Sequence, residues 1–123
     1  QLPHGRHMDE LFGNMIAESN LVYMPDFYIS DATRCFVAGG PDLGTLREPG
    51  IVLASSDVVA NDAVGLALLK TLGTVPKIQE HSVWDQPQIK KAIELGLGIR
   101  GREEVTLKNS GVEETEEILA NLA

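Results

Sequence analysis

The chain has 123 residues, 43% of them hydrophobic, and carries ten Lys and Arg against eighteen Asp and Glu, a formal net charge of −8. That size suits a single domain, residues 1–123, with a real core, and the acidic balance excludes non-specific nucleic-acid binding, which depends on Lys and Arg neutralising phosphates. One cysteine, Cys35, excludes an internal disulfide and any four-thiolate zinc or iron–sulfur site built by this chain alone. A reducing, cytoplasmic setting is the expectation. No run of eighteen apolar residues and no charged-then-apolar leader stands in the sequence, so neither a membrane span nor a signal peptide is expected. Gln1 stands first where an initiator Met would, which carries the expectation of a fragment or processed product with part of any site elsewhere.

Met8, Leu11, Phe12, Met15 and Ile16 recur at i, i+3, i+4, i+7 and i+8, the spacing of one helical stripe, and predict a helix from about Met8 to Ser19 that Asn20 stops. Phe27, Tyr28 and Ile29 suit a strand after Pro25, ended by Asp31. A short strand is expected over Arg34–Ala38. The loop Gly39-Gly40-Pro41-Asp42-Leu43-Gly44 then has the composition of a turn. Ile51–Ala54 reads as a buried strand that halts at Ser55-Ser56-Asp57 and restarts as a central helix. Asp85 and Gln88 form a capping-box-like pair before a third helix with Ile89, Ala92 and Ile93 inward, and Pro87 is tolerated in its first turn. Gly96 and Gly98 supply left-handed backbone at its end. Val105–Leu107 reads as a strand, and a last helix over Glu113–Leu122 docks through Ile118 and Leu122. Alternating strands and helices predict an α/β fold: a layered sheet, mixed or mostly parallel, flanked by about four helices. An antiparallel Tyr28-to-Leu53 pairing would make it mixed. From Glu103 onward six glutamates face Lys108 alone, a net −5 that reads as a solvated face.

Carboxylates at the carboxyl end of a strand and the start of the next helix are where α/β proteins often handle ligands, so Asp57 and Asp62 are the candidate catalytic and metal-binding residues. Asp62 shares a helix face with Val58, Gly65, Leu66 and Leu69. A carboxylate among apolar neighbours needs partners. It either binds a metal or substrate hydroxyl, or acts as a base of raised pKa, or else accepts hydrogen bonds that tie two segments together. Asp57 is favoured by the helix dipole in any case, and Ser55 and Ser56 make ordinary N-caps. Asp31 with Gly39, Gly40 and Gly44 either lines the same cleft, offering backbone amides to an anion, or forms a wide turn of positive φ. Ser55 and Ser56 join them as candidate ligand-binding residues.

Gly96-Leu97-Gly98-Ile99-Arg100-Gly101 matches G-x-G-x-x-G letter for letter, but it follows a helix and precedes a strand, the reverse of the dinucleotide-binding context. His4 and His7 near Asp9 offer a metal pair in a segment prone to fray, and His81 stands alone. Cys35 reads as a small hydrophobe rather than a nucleophile. Trp84 reads as a packing anchor where the third helix begins.

The order Asp31-Ala32, Gly39-Gly40-Pro41, Gly44, then Gly50-Ile51-Val52-Leu53-Ala54-Ser55-Ser56-Asp57, Ala60 and Asp62, with Gly96-Leu97-Gly98 following, resembles the uncharacterised domain-of-unknown-function family 362 over roughly Leu21 to Leu107. The resemblance implies an iron–sulfur-associated protein, often fused to a ferredoxin-type domain carrying four-iron–four-sulfur clusters. It makes this chain the C-terminal half, whose missing N-terminal half and ferredoxin-type domain are the expected partners. Two departures stand out: Val58 occupies the place of the family's usual proline, and the family's Pro-Lys-x-Lys-x-His stretch and Lys-Asn pair are absent. The expectation is redox-linked or metal-assisted chemistry on a small molecule, with Asp31, Asp57 and Asp62 converging near Gly39–Gly44, a divalent metal as cofactor, and no cluster on this chain. The alternative is a non-catalytic binding or interaction domain. Sequence leaves the oligomeric state open.

Overall fold

In the computed structural model, residues 4–40 and 42–123 are described, with side-chain surroundings from Met8 onward. The elements in order are α1 (His4–Ser19), β1 (Tyr28–Ala32), β2 (Cys35–Gly39), β3 (Gly44–Arg47), β4 (Ile51–Ser55), α2 (Val58–Leu72), α3 (Pro76–Gln79), a 3-10 turn (Val83–Asp85), α4 (Pro87–Glu94), a second 3-10 turn (Arg102–Glu104) and α5 (Thr115–Leu122).

The core is built around α2, hydrophobic almost all round, whose Val59, Ala63, Val64, Leu66, Ala67 and Leu68 are buried. Ile118 and Leu122 of α5 pack on it, as do Ile89 and Ala92 of α4, Val83 and Leu97. The Trp84 indole closes this side by donating Nε1–H to the Leu122 carbonyl at 2.8 Å, the anchoring role expected of it.

The sheet differs from the layered, mixed or mostly parallel one expected. Two separate antiparallel pairs form, β1–β4 and β2–β3, and the described residues contain no parallel pair. Tyr28 lies opposite Ser55 and Ala32 opposite Ile51, so the antiparallel alternative for Tyr28 and Leu53 is the arrangement adopted. One face of β1–β4, with Ala32 and Ile51, packs inward, while Ile29 and Val52 face out. The β2–β3 pair is a hairpin with a register shift between Phe36 and Ala38. It is tied to the body by Thr74 Oγ1, which donates to the Val37 carbonyl at 2.6 Å. The chain remains a mixture of helices and strands. Parallel strands need crossover helices, and here four strands precede α2, so only antiparallel partners were within reach.

Two further expectations are corrected, and α1 packs in a way its spacing did not address. Val105–Leu107 keeps a strand's alternation of half-buried and exposed residues but finds no ladder partner. The capping box of α4 does not form: Gln86 is the N-cap without a side-chain bond, and Asp85 instead pairs with Lys90 at 2.8 Å. The helix α1 runs where expected, yet Met8, Leu11, Phe12, Met15 and Ile16 are 45–65% exposed. It packs through its small residues. An added Cβ at Gly13 would lie 2.8 Å from Pro87 Cβ of α4, and Ala17 is buried beside it. Small residues allow close helix approach and leave the large stripe outside.

Candidate functional site

Asp57 is fully engaged in holding the fold. As N-cap of α2, its Oδ1 accepts from Ala60 N at 2.8 Å, and its Oδ2 accepts from Ile99 N at 2.9 Å in the loop after α4. That clamp explains Gly98: a Cβ there would fall 2.5 Å from Asp57 Oδ2 and 2.6 Å from Oδ1. Gly96 serves differently. It has φ +68° and ends α4 in a Schellman motif, with Gly96 N donating to Ile93 O and Leu97 N to Ala92 O, each at 3.0 Å. The glycine pattern is thus a helix stop followed by a seat for a carboxylate. Ser55 Oγ accepts from Asp57 N at 3.0 Å, and Ser56 precedes the cap.

Asp31 lies on the outer face of β1, where Oδ1 accepts from Thr33 N at 2.9 Å and Thr33 Oγ1 at 2.7 Å. These bonds, the backbone one foremost, hold its carboxyl below the usual aspartate range. Gly39 and Gly44 end and begin the paired strands of the hairpin. Gly39 and Gly40 take φ +76° and +82°, and a Cβ on Gly44 would collide with the Ala38 carbonyl. Pro41 and the His4 and His7 side chains lie outside the described residues. Asp31, Asp57 and the hairpin glycines therefore each serve a local turn or clamp.

Asp62 is placed otherwise. It stands at the rim of a cleft of about 200 Å³ between α1, α2 and α4. The walls include Ala17, Val59, Ile89 and Leu97, all buried. Asn20, Asn61 and Gln88 join Asp62 as its polar lining. Asp62 is solvent-exposed as a residue, but burial of its carboxyl among cleft atoms raises its pKa, while hydrogen bonding with the Gln88 side chain acts in the opposite direction. Water at the rim tempers that desolvation, leaving a raised but accessible carboxyl. Among the described residues no Lys, Arg or His lines this cleft. Asn61 donates Nδ2–H to Ser30 Oγ at 2.6 Å, and its Oδ1 is buried without a hydrogen-bond partner among the described residues. Asn20 donates its Nδ2–H to the Ile16 carbonyl at 3.0 Å.

Asn20, Asn61 and Gln88 were not legible as site residues, because they read as a helix stop, an ordinary helical residue and half of a capping box. The one available signal was position: Asn61 precedes Asp62 in the first turns of α2. A larger groove of about 650 Å³ between α1 and α4 is lined by charges that already pair, Lys77 with Asp9 at 2.6 Å and Lys90 with Asp85 at 2.8 Å. It includes His81, and the Lys77–Asp9 pair bridges α1 to α3. Cys35 is half-buried, and burial pushes its thiol up, away from thiolate chemistry. Among the described residues no group of three or more His, Cys, Asp or Glu gathers to hold a metal.

These features define a small mixed α/β domain with one apolar-walled, carboxylate-rimmed cleft. The chain belongs to the family described as Domain of unknown function (DUF362), whose profile matches residues 1–67. The match takes in α1, all four strands and α2 up to Ala67, and it includes Asp62. Gly96-Leu97-Gly98 lies beyond it, and the matched stretch begins earlier than Leu21. No curated protein and no solved structure matches the chain. No helix among the described residues is long and apolar enough to cross a membrane.

Proposed function

We propose that this domain binds a small molecule in the α1–α2–α4 cleft, with Asp62 gripping or deprotonating it, as the C-terminal part of a larger cytoplasmic, iron–sulfur-associated protein. The carrying observation is the cleft itself: buried apolar walls with the Asp62 carboxyl at its edge and no Lys, Arg or His lining it among the described residues. Apolar pockets with a few convergent polar groups and a perturbed carboxyl are the usual form of ligand sites.

The site is completed by a second surface, the family's upstream half or a ferredoxin-type domain. In support, the exposed stripe of α1 continues into exposed Leu21, Val22, Tyr23 and Met24, and contiguous exposed apolar surface is a common mark of an interaction site. A four-iron–four-sulfur cluster takes four thiolates and does not fit this chain, which offers Cys35 alone. Redox chemistry therefore belongs to the partner. A divalent metal is the narrower version of the proposal. Oxygen groups at the rim favour it, but Asp57, with both oxygens on amides, would have to leave its clamp to serve.

The test is amide and side-chain NMR of the whole chain during a small-molecule fragment screen, repeated with magnesium, calcium, manganese and zinc. The proposal expects ligands that move the Asn20, Asn61 and Gln88 side-chain NH₂ signals and lose their effect in Asp62→Asn. A cleft silent to every fragment and metal sinks it. The second reading, a non-catalytic interaction domain, would then stand, since the exposed α1 stripe and the amide-bound Asp57 favour it independently.

A further inference from the structure

The chemistry of the Asp62 cleft also selects what it takes. The one charged group lining it among the described residues is an anion. Ionised Asp62 can only accept. Asn61 has committed an N–H to Ser30, and its Oδ1 is buried and unpartnered among the described residues. Asn20 has committed an N–H to the Ile16 carbonyl, which leaves its own carbonyl oxygen as an acceptor. The Gln88 side chain stands near enough to Asp62 to act on its carboxyl in the direction a donor does. An anionic ligand would bring a second negative charge to Asp62 in a cleft with no lining cation, on a protein of net charge −8. The floor of Val59, Ile89 and Leu97 offers no hydrogen bond and asks for hydrocarbon. The volume, about 200 Å³, is that of a small body, since a dry cavity of about 150 Å³ already takes benzene.

We propose that the cleft is a site for a small organic ammonium, its alkyl or aryl body on Val59, Ile89 and Leu97 and its N–H donors on the Asp62 carboxylate and the Asn20 side-chain oxygen. An ammonium presents three donors and a positive charge, which complements a carboxylate that no lining cation neutralises, as a neutral alcohol does not. A bare divalent ion fits less well, because hard cations seek six or more oxygens and usually several carboxylates. This inference rests on the small-molecule reading above and narrows it to one charge class.

Isothermal calorimetry at neutral pH with the intact chain compares benzylammonium, benzyl alcohol and benzoate, three probes sharing one ring, with calcium and manganese chloride run alone. The expected result is benzylammonium binding at least tenfold tighter than benzyl alcohol, benzoate failing to bind, and Asp62→Asn, checked for folding by circular dichroism, erasing the benzylammonium preference. In parallel the Asn61 side-chain NH₂ signal should move with benzylammonium. Equal binding of alcohol and ammonium would overturn the ammonium class while leaving a small-molecule cleft standing. Tighter benzoate, or a metal-only signal abolished by Asp62→Asn, overturns it in favour of another charge class. No probe and no metal binding overturns both it and the reading it rests on.

Discussion

Replacing Gly98 by Ala should unlatch the start of α2 through a residue it never touches in sequence. The backbone there is not in the left-handed region, so Ala is not strained by its dihedral angles. The obstacle is the Asp57 carboxylate, whose Oδ2, Oδ1 and Cγ would lie 2.5, 2.6 and 2.8 Å from the new methyl. Asp57 must rotate away, surrendering its bonds to Ala60 N and Ile99 N. Loss of a helix N-cap costs about 1 kcal/mol, and a hydrogen bond to a charged group contributes about 1.5–3 kcal/mol. For a part-buried carboxylate we expect about 2–4 kcal/mol together, or roughly 10–15 °C in Tm for a chain of this size. Urea unfolding followed by circular dichroism measures it. The decisive arm is the cycle with Asp57→Ala: once the carboxylate is gone, Gly98→Ala should add less than about 0.5 kcal/mol. A Gly98→Ala protein as stable as wild type, or losses that simply add in the double variant, would refute the clamp.

Asp62→Asn should stabilise the protein at neutral pH, with the advantage fading on acidification. The folded pKa of Asp62 is raised, so the stability its protonated form contributes is complete below the unfolded value, near 3.9, and is lost as pH rises through the folded value. Paired urea titrations across pH check this, and an advantage that grew toward acid would reverse the sign. Gly13→Ala should destabilise although Ala is the better helix former by about 1 kcal/mol, because its methyl meets Pro87 Cβ at 2.8 Å and Gln88 N at 3.0 Å. Thermal unfolding with a gain in Tm would show that α1 and α4 part without cost.

Local signals in the sequence were reliable where local physics decides the outcome. The β4 strand, though buried only at Ile51 and not along its length, α2 beginning after Asp57, the α5 docking pair Ile118 and Leu122 and the left-handed Gly96 all follow from periodicity and caps. What failed depends on distant partners. The Tyr28–Ser55 pairing joins strands separated by a whole hairpin, and nothing local distinguishes that from a parallel layer. The Asp57–Ile99 bond spans 42 residues, which is why Asp57 resembled a ligand residue and Gly98 a turn residue. In α1 two faces competed, the large stripe around Phe12 and the small pair Gly13 and Ala17, and periodicity registers only the first. For the site, a carboxylate at position 62 was legible, but its carboxamide neighbours come from α1 and α4 and meet only after folding.

The central claim is that the Asp62 carboxyl, its pKa raised, stands at the mouth of an apolar cleft that no cation lines among the described residues. Carbon-13 detection of its carboxyl across a pH titration of the intact chain tests this most directly. A midpoint clearly above the ordinary aspartate value near 3.9, moving down when benzylammonium is added, is the result expected here. A midpoint at or below that value would mean that water or a partner already satisfies the carboxylate, and the cleft would lose its claim to be the site.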